Sequence, residues 1–447
     1  MRIALLSNVT VEVLAGMLRK EHRVWTPSGF GAWMETALRP PADLVAFGPE
    51  EICILLDSRF DEVHGDVEAA RRSLEAAFPS AAVCVLDVTR FAADFGDAFY
   101  DGRMWALGRM PWSLVGLREL GKVFSPKKVL ALDLDGTMWE GAVGEDGRDG
   151  IRIREGFVRE LRALGARGIL LAVLSKNYPG DVAWFFEGED PFVAKAIGWA
   201  PKGEGLGRMA RDLNLGNDAF VFVDDNPGER AEMRAAHPEV LVADFPPQLG
   251  AFFPAHAVTD EDRTKTDQYR AEARRREFAS GLSFEDYLKG LGIRTEIHPI
   301  AADEIPRVAQ LSRKANQFNV RTNRYSEDDV RRFAADPSRL VLTLHASDRF
   351  GDQGLVAFVQ AERKGDGAEI VDWVMSCRAM NRRLEFALEA ELERQLAEQG
   401  CRRLEATYVP TAKNAPVREL YEGFGFALAG ETAGTKRYAR IIGAGTC

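Results

Sequence analysis

The sequence predicts a multidomain α/β protein, and three observations carry that expectation. The chain has 447 residues, well beyond the size at which one hydrophobic core keeps growing. Its 46% hydrophobic and 28% charged residues match an ordinary folded chain rather than a disordered or fibrous one. Between Lys127 and Phe245, apolar runs of strand length alternate with helix-length segments, the order that builds a parallel sheet flanked by helices. The expected divisions are an α/β domain over 1–125, a parallel-sheet domain over 126–258, a helical connector over 259–290 and an α+β domain over 291–447.

In the first division, Ser7, Asn8, Thr10 and Glu12 interrupt the apolar run from Met1 to Met17. A leader peptide or membrane span would need that run unbroken, so it reads as a first strand and helix. The runs Ile52–Leu56 and Val83–Val88 alternate with helical stretches such as Val67–Ala77. No catalytic motif stands out there, and a docking or structural role is the expectation. Cys53, Cys84, Cys377, Cys401 and Cys447 are odd in number and lack CxxC spacing, which disfavours a disulfide framework or a zinc-cysteine site and points to a reducing, cytoplasmic setting. The net charge of -10 repels polyanions and argues against nucleic-acid binding. Arg270, Arg274, Arg275 and Arg276 form a local basic cluster, expected to be a solvated helix face.

The central division carries the sharpest chemistry. Val129–Leu132 reads as a buried strand running directly into Asp133-Leu134-Asp135-Gly136-Thr137. Two acids so close cannot both ionise easily without a cation, and a hard, oxygen-ligated ion such as Mg²⁺ suits them. Glu155–Arg167 reads as a helix and Ile169–Leu174 as a strand ending at Ser175, with Lys202 just before the helix Gly203–Leu213. The strand Ala219–Val223 then delivers Asp224 and Asp225. Hydroxyl, ammonium and acids in this order are what a phosphoryl site needs: donors for the phosphoryl oxygens and a carboxylate to attack phosphorus. Only 42 positions separate Asp133 from Ser175, and 27 separate Ser175 from Lys202. That leaves no room for a large cap domain, so an open site is expected.

These four motifs resemble the haloacid dehalogenase (HAD) superfamily over about 127–245, implying a Rossmannoid sheet without a large cap. The resemblance implies Asp133 as nucleophile and Asp135 as general acid/base. Ser175, Asn177 and Lys202 would bind the phosphate. Mg²⁺ would be held by Asp133, the Asp135 carbonyl and Asp224, with Asp225 in support. Lys195 is a substitute for Lys202 in this reading. Gly136 is common at its position across HAD phosphatases, whereas the narrower family resembled below often carries Asn there.

After the charged connector, the last division offers the helical stretch Glu304–Ala315 and the strands Leu340–His345, Gly354–Val359 and Glu369–Val374. The helix Arg383–Gln399 and the strand Arg403–Thr407 follow. This order, with Thr411, Asn414, Tyr421 and Gly423–Phe426, resembles the GNAT acyltransferase fold. The segments WEGAVGEDG (139–147), NQFNVRT (316–322), FGDQGLV (350–356), MSCRAMNRR (375–383) and YVPTAKN (408–414) resemble more narrowly the FkbH-like family. That resemblance implies a phosphatase/acyltransferase taking a glyceryl group from 1,3-bisphosphoglycerate, a small phosphorylated metabolite. The acyl group would pass as a thioester to the phosphopantetheine arm of an acyl carrier protein, in polyketide-type biosynthesis.

Cys377 sits where a strand gives way to a helix, near Arg378, Arg382 and Arg383. Positive potential favours its thiolate, so a covalent thioester there is one reading and a buried structural cysteine the other. Arg378, Asp352, Asn316 and Gln317 would contact substrate, or serve packing and capping. Asn381 stands where the family commonly has Gly, and Asn tolerates the left-handed conformation. His345 reads as a lone structural histidine. A plain phosphatase with a partner-recognition domain, and a non-catalytic scaffold, are the competing readings.

Overall fold

The structure is a computed structural model describing residues 1–443 except 61, 62, 64, 189, 257–259, 280, 377, 378 and 412. The chain divides into two compact units, Met1–Arg270 and Ala271–Cys447, and it is a mixed α/β protein throughout.

The first unit holds two parallel sheets. In one, β1 (Arg2–Ser7), β2 (Arg23–Trp25), β3 (Glu51–Leu56) and β4 (Ala82–Asp87) stand in the order β2-β1-β3-β4. Every residue of β3 is buried, as a strand covered on both faces requires. Cys53 and Cys84 are register partners on β3 and β4.

The second sheet is introduced by β5 (Val129–Leu132). A two-stranded ribbon, β6 (Trp139–Glu140) with β7 (Arg152–Ile153), follows it. Then come β8 (Leu170–Ser175), β9 (Phe192–Ile197), β10 (Phe220–Val223) and β11 (Leu241–Ala243), and the sheet order is β11-β10-β5-β8-β9. All its pairings are parallel. Strands β5 and β10 are wholly buried and lie side by side at the centre, so their carboxyl ends emerge together. The only insert between β5 and β8, besides the helix Glu155–Ala166, is the β6–β7 ribbon with its helix Val143–Gly150. That is a flap, far smaller than a cap domain.

The second unit is a seven-stranded sheet. Its strands are β12 (Arg294–Pro299), β13 (Arg339–Asp348), β14 (Gly351–Lys364), β15 (Gly367–Met375), β16 (Arg403–Tyr408), β17 (Ala427–Thr432) and β18 (Thr435–Ile441), in the order β12-β13-β14-β15-β16-β18-β17. Only β15 and β16 pair in parallel, through the crossover helix Leu384–Glu398. They pair over Gly367–Ile370 and Arg403–Ala406 alone and then diverge. The segment Phe318–Val320 lies in the gap. Met375 N–H donates to Phe318 O (3.0 Å), Val320 N–H to Trp373 O (3.2 Å), and Val409 N–H to Val320 O (2.9 Å).

The connector is helical, as expected, with two helices, Asp260–Ala279 and Phe284–Leu291; Ser283 caps the second by accepting from Asp286 N–H at 3.1 Å. One expectation needs correction. The basic cluster is only in part a solvated face, with Arg274 exposed. Arg275 is 3% exposed and forks onto Asp348 (2.6 and 2.8 Å), while Arg270 donates to the Asp190 carbonyl. Spacing alone did not reveal that the helix turns Arg270 and Arg275 toward acceptors distant in sequence.

Candidate functional site

Four side chains converge where β5, β8 and β10 end. Asp133 directly follows β5, its N–H bonded to Val223 O of β10 (3.1 Å). Asp224 directly follows β10, and Ser175 closes β8. Lys202 opens the helix Lys202–Leu213. All four are buried, Asp224 completely. Lys202 Nζ lies 2.5 Å from Asp224 Oδ2 and 3.1 Å from Asp133 Oδ1. Lys195, by contrast, pairs with Asp190.

The turn after β5 is built on Gly136, at φ +69°, a left-handed conformation that glycine adopts without steric cost. Space demands glycine as well, because a Cβ there would meet Asp225 Oδ2 at 2.2 Å. Thr137 Oγ1 donates to Asp225 Oδ1 (3.2 Å). Asp135 is immobilised by three donors: Trp139 Nε1 (2.7 Å), Val143 N–H (3.0 Å) and Asn177 Nδ2 (2.9 Å). Asn177 Nδ2 also reaches Ser175 Oγ (3.1 Å). The flap thus orients Asp135 through two of its own groups.

Charge is out of balance here. Burial pushes the Asp133 carboxyl above its ordinary range, with Lys202 pulling the other way. Asp224 is pushed up to about 6, by burial first and the Asp133 charge second. Burial also works against the Lys202 ammonium, but Asp133 and Asp224 outweigh it and hold its pKa above the usual value. One ammonium does not satisfy both acids. Asp133 Oδ1 is buried and makes no well-aligned hydrogen bond, having only the Lys202 ammonium 3.1 Å away, and ligand oxygens of Asp133, Asp224 and Asp225 all lie within 4.8 Å of one another. An all-oxygen donor set with an unsatisfied carboxylate oxygen fits a hard divalent cation. The Asp135 carboxylate is outside that group, being turned to its three donors.

Beside the site is an open cavity of about 150 Å³, lined in part by Ser175, Ile197, Trp199, Lys202 and Arg208. Tyr178 and Trp199, each 62% exposed, pack edge to face at its rim with ring centroids 5.5 Å apart. Sequence reasoning missed them, since isolated aromatics in loops carry no spacing signal. It also missed Arg230, 4% exposed. The guanidinium donates to the Asp224 and Asp225 carbonyls (2.8 Å each), to Asp244 (2.9 Å), and to Asp94 through two nitrogens (2.6 and 2.5 Å).

In the second unit, Cys377 and Arg378 lie outside the described residues. Asn316 Oδ1 accepts from Arg324; Gln317 is half-buried, next to Phe318 and the end of β15. Exposed Asp352 accepts from Gly354 N–H (2.8 Å), a turn contact. Asn381 adopts φ +60°. Cys53 is held well above the ordinary thiol range, by its bond to Cys84 first and burial second, and burial raises Cys401 too. Neither is a thiolate at neutral pH. His345 is not a lone histidine: His298 and Glu304 stand beside it. They are 47 and 41 positions away in the chain, and only the pairing of β12 with β13 brings them together.

No family model and no curated protein matches this sequence. Among solved structures, the N-terminal part of BF1531 from Bacteroides fragilis, containing a phosphatase domain complexed with Mg, is similar at 21% identity. The match covers 58% of this chain and 94% of that one, with a TM-score of 0.33. The ribosomal-protein-S18-alanine N-acetyltransferase from Escherichia coli is similar at 19% identity, covering 34% and 97%, with a TM-score of 0.27. The GNAT domain of S. lividans PAT is similar at 20% identity, covering 33% and 90%, with a TM-score of 0.28. No described helix is long and apolar enough to cross a membrane.

Proposed function

We propose that this chain is a Mg²⁺-dependent, aspartate-nucleophile phosphatase joined to an acyltransferase, which uses 1,3-bisphosphoglycerate to load a glyceryl group on an acyl carrier protein. The observation that carries the phosphatase half is the convergence of Asp133, Ser175, Lys202 and Asp224 at the carboxyl ends of adjacent parallel strands, where open α/β sheets bind ligands. The acyl half rests on the FkbH-like segments and on Cys377.

In this reading a carboxylate oxygen of Asp133 attacks phosphorus and forms an aspartyl-phosphate as the bond to the leaving oxygen breaks. Asp135, fixed by Trp139, Val143 and Asn177, protonates that oxygen. It then takes a proton from the water that cleaves the aspartyl-phosphate. Ser175 and Lys202 hold the phosphoryl oxygens. Mg²⁺, held by Asp133, Asp224, Asp225 and the Asp135 carbonyl, would neutralise phosphoryl charge. On the acyl side, the Cys377 thiolate bonds to C1 of the acyl phosphate and expels that phosphate. The C3 phosphate is the one left for Asp133. The carrier's pantetheine thiol then takes the acyl group and Cys377 leaves as thiolate. Asn316, Gln317, Asp352 and Arg378 are candidates for contacts to the acyl group.

Intact mass of enzyme and candidate carrier proteins, with released phosphate, tests both halves after incubation with 1,3-bisphosphoglycerate. Asp133→Asn should lower release of the C3 phosphate by at least about 10³-fold, because an amide is a poor nucleophile. Cys377→Ala should block carrier loading while the phosphatase still acts on a small phosphate ester. If Cys377→Ala loads the carrier at the wild-type rate, the covalent thioester is wrong and direct transfer to the pantetheine thiol replaces it. Phosphate release without acyl mass on any protein leaves a plain phosphatase, and neither product leaves a scaffold.

A further inference from the structure

A second group of metal-ligating side chains lies in the acyltransferase-like unit. It involves none of the acids or cysteines assigned above. His298 belongs to the edge strand β12 and His345 to its neighbour β13. His298 is the register partner of Thr343, so His345, two residues further along, projects from the same face. The two imidazoles stack with centroids 5.4 Å apart. Glu304 closes the group from the short 3₁₀ turn Ala302–Glu304 that precedes the helix Ile305–Lys314.

The arrangement around these three residues leaves specific atoms free. Glu304 is 8% exposed, and its Oε2 accepts from Ala301 N–H (2.8 Å) and Thr343 Oγ1 (3.0 Å). Its Oε1 is left to the histidines: His345 Nε2 hydrogen-bonds it, and His298 Nε2 lies 3.6 Å away. His298 Nδ1 is 3.0 Å from Pro299 O, a carbonyl that can only accept, so Nε2 is the ring nitrogen left to face Oε1. That carbonyl contact is the kind that orients ligating imidazoles.

Two Nε2 atoms therefore address one carboxylate oxygen. A single proton bridges one of them to Oε1 and leaves the other without a bond. A divalent ion engages all three atoms at once. Ligands about 2.0–2.2 Å from a tetrahedral ion sit roughly 3.4 Å apart, close to the 3.6 Å between His298 Nε2 and Glu304 Oε1, whereas the hydrogen-bonded His345 Nε2 and Glu304 Oε1 are closer and would move apart to admit the ion. Both imidazoles are about one-third exposed (34% and 33%), which leaves a side open for water as a fourth ligand.

We propose that His298, Glu304 and His345 bind a divalent transition-metal ion of the zinc class, fastening the edge strand and the 3₁₀ turn to the sheet. Two nitrogens and one oxygen suit Zn²⁺ or Co²⁺ and are a poor match for Mg²⁺, so this site and the acidic site select different ions.

The test is metal content of the full-length chain, stripped with chelator and dialysed against micromolar Zn²⁺ with millimolar Mg²⁺ present to saturate the acidic site. Wild type and Asp224→Asn should each hold one equivalent of zinc. His298→Asn and Glu304→Gln should hold at most about one-tenth of that. Phosphatase turnover in the two latter variants should be unchanged, which separates this proposal from the phosphatase reading. Because a variant can fail to fold, Co²⁺ added to wild type gives an independent measurement: it should paramagnetically shift two of the six histidine ring spectra. No zinc uptake by wild type, uptake kept in both variants, or uptake lost in Asp224→Asn each overturns the proposal. A charged His345–Glu304 ion pair would then account for the geometry.

Discussion

Glu51 shows how a single position couples burial to pH. It opens the wholly buried strand β3, is 5% exposed, and burial pushes its carboxyl up to about 7. The ring of His256, 3.8 Å away, brings little charge because burial lowers its own pKa. The folded value of Glu51 lies above the unfolded one, so the folded state binds the proton more tightly. Its contribution is fully present below about pH 4.5 and is lost as pH rises through 7. Over that span wild type should lose up to about 3 kcal/mol relative to Glu51→Gln, which cannot titrate. Urea midpoints at pH 5 and pH 8 measure this. Equal losses in the two proteins would show that Glu51 keeps its charge at no cost. Sequence pattern could not single it out, because an acid at the head of an apolar run reads as a solvated strand end.

At the level of elements, what was legible is what local chemistry encodes. The strand ends bearing Asp133, Ser175 and Asp224 stood out because each is an apolar run broken by a polar residue, and the helix Val67–Ala77 because its period is regular. What stayed hidden were contacts between elements. Arg230 lies on the helix Pro227–Ala236, yet it ties the acidic turn after β10 to Asp94, 136 positions earlier. Burial raises Asp94, but Arg230 and Arg234 more than offset it and hold the carboxyl below its normal range. Arg230→Met removes one of the two guanidinium partners of Asp94, which keeps Arg234, and the clamp on two carbonyls at the acidic turn after β10. It should destabilise the first unit by about 1.5–3 kcal/mol and weaken the Mg²⁺ binding proposed there. Arg230→Lys should recover little of either, because an ammonium lacks the planar fork that reaches Asp94 and both carbonyls together. Chemical denaturation and Mg²⁺ titration of the two variants decide this, and full recovery by lysine would reduce the role of Arg230 to simple charge.

For the whole molecule, the arrangement of its cores sets how it should unfold. Among the described residues, the apolar clusters of Met1–Arg270 and those of Ala271–Cys447 share no member. Within the first unit, one cluster joins Ile3 and Phe99 to Leu130 and Phe253. The α/β region before Ser125 and the parallel-sheet region after it therefore share a core, a continuity that sequence punctuation at 125 concealed. Two separate cores predict two calorimetric transitions rather than three. The acidic site belongs to the first unit and the His298–Glu304–His345 group to the second. A ligand that binds only the folded form adds about 2.7 kcal/mol at a hundredfold excess over its Kd, a shift of roughly 5–10 °C for units of this size. Mg²⁺ should raise one transition and leave the other in place, and Zn²⁺ should do the reverse in a background of saturating Mg²⁺. The Asp224→Asn variant should lose only the first response and His298→Asn only the second. A single transition moved by both ions would mean that the two cores unfold as one cooperative body, and the separation of sites between units would then have no thermodynamic counterpart.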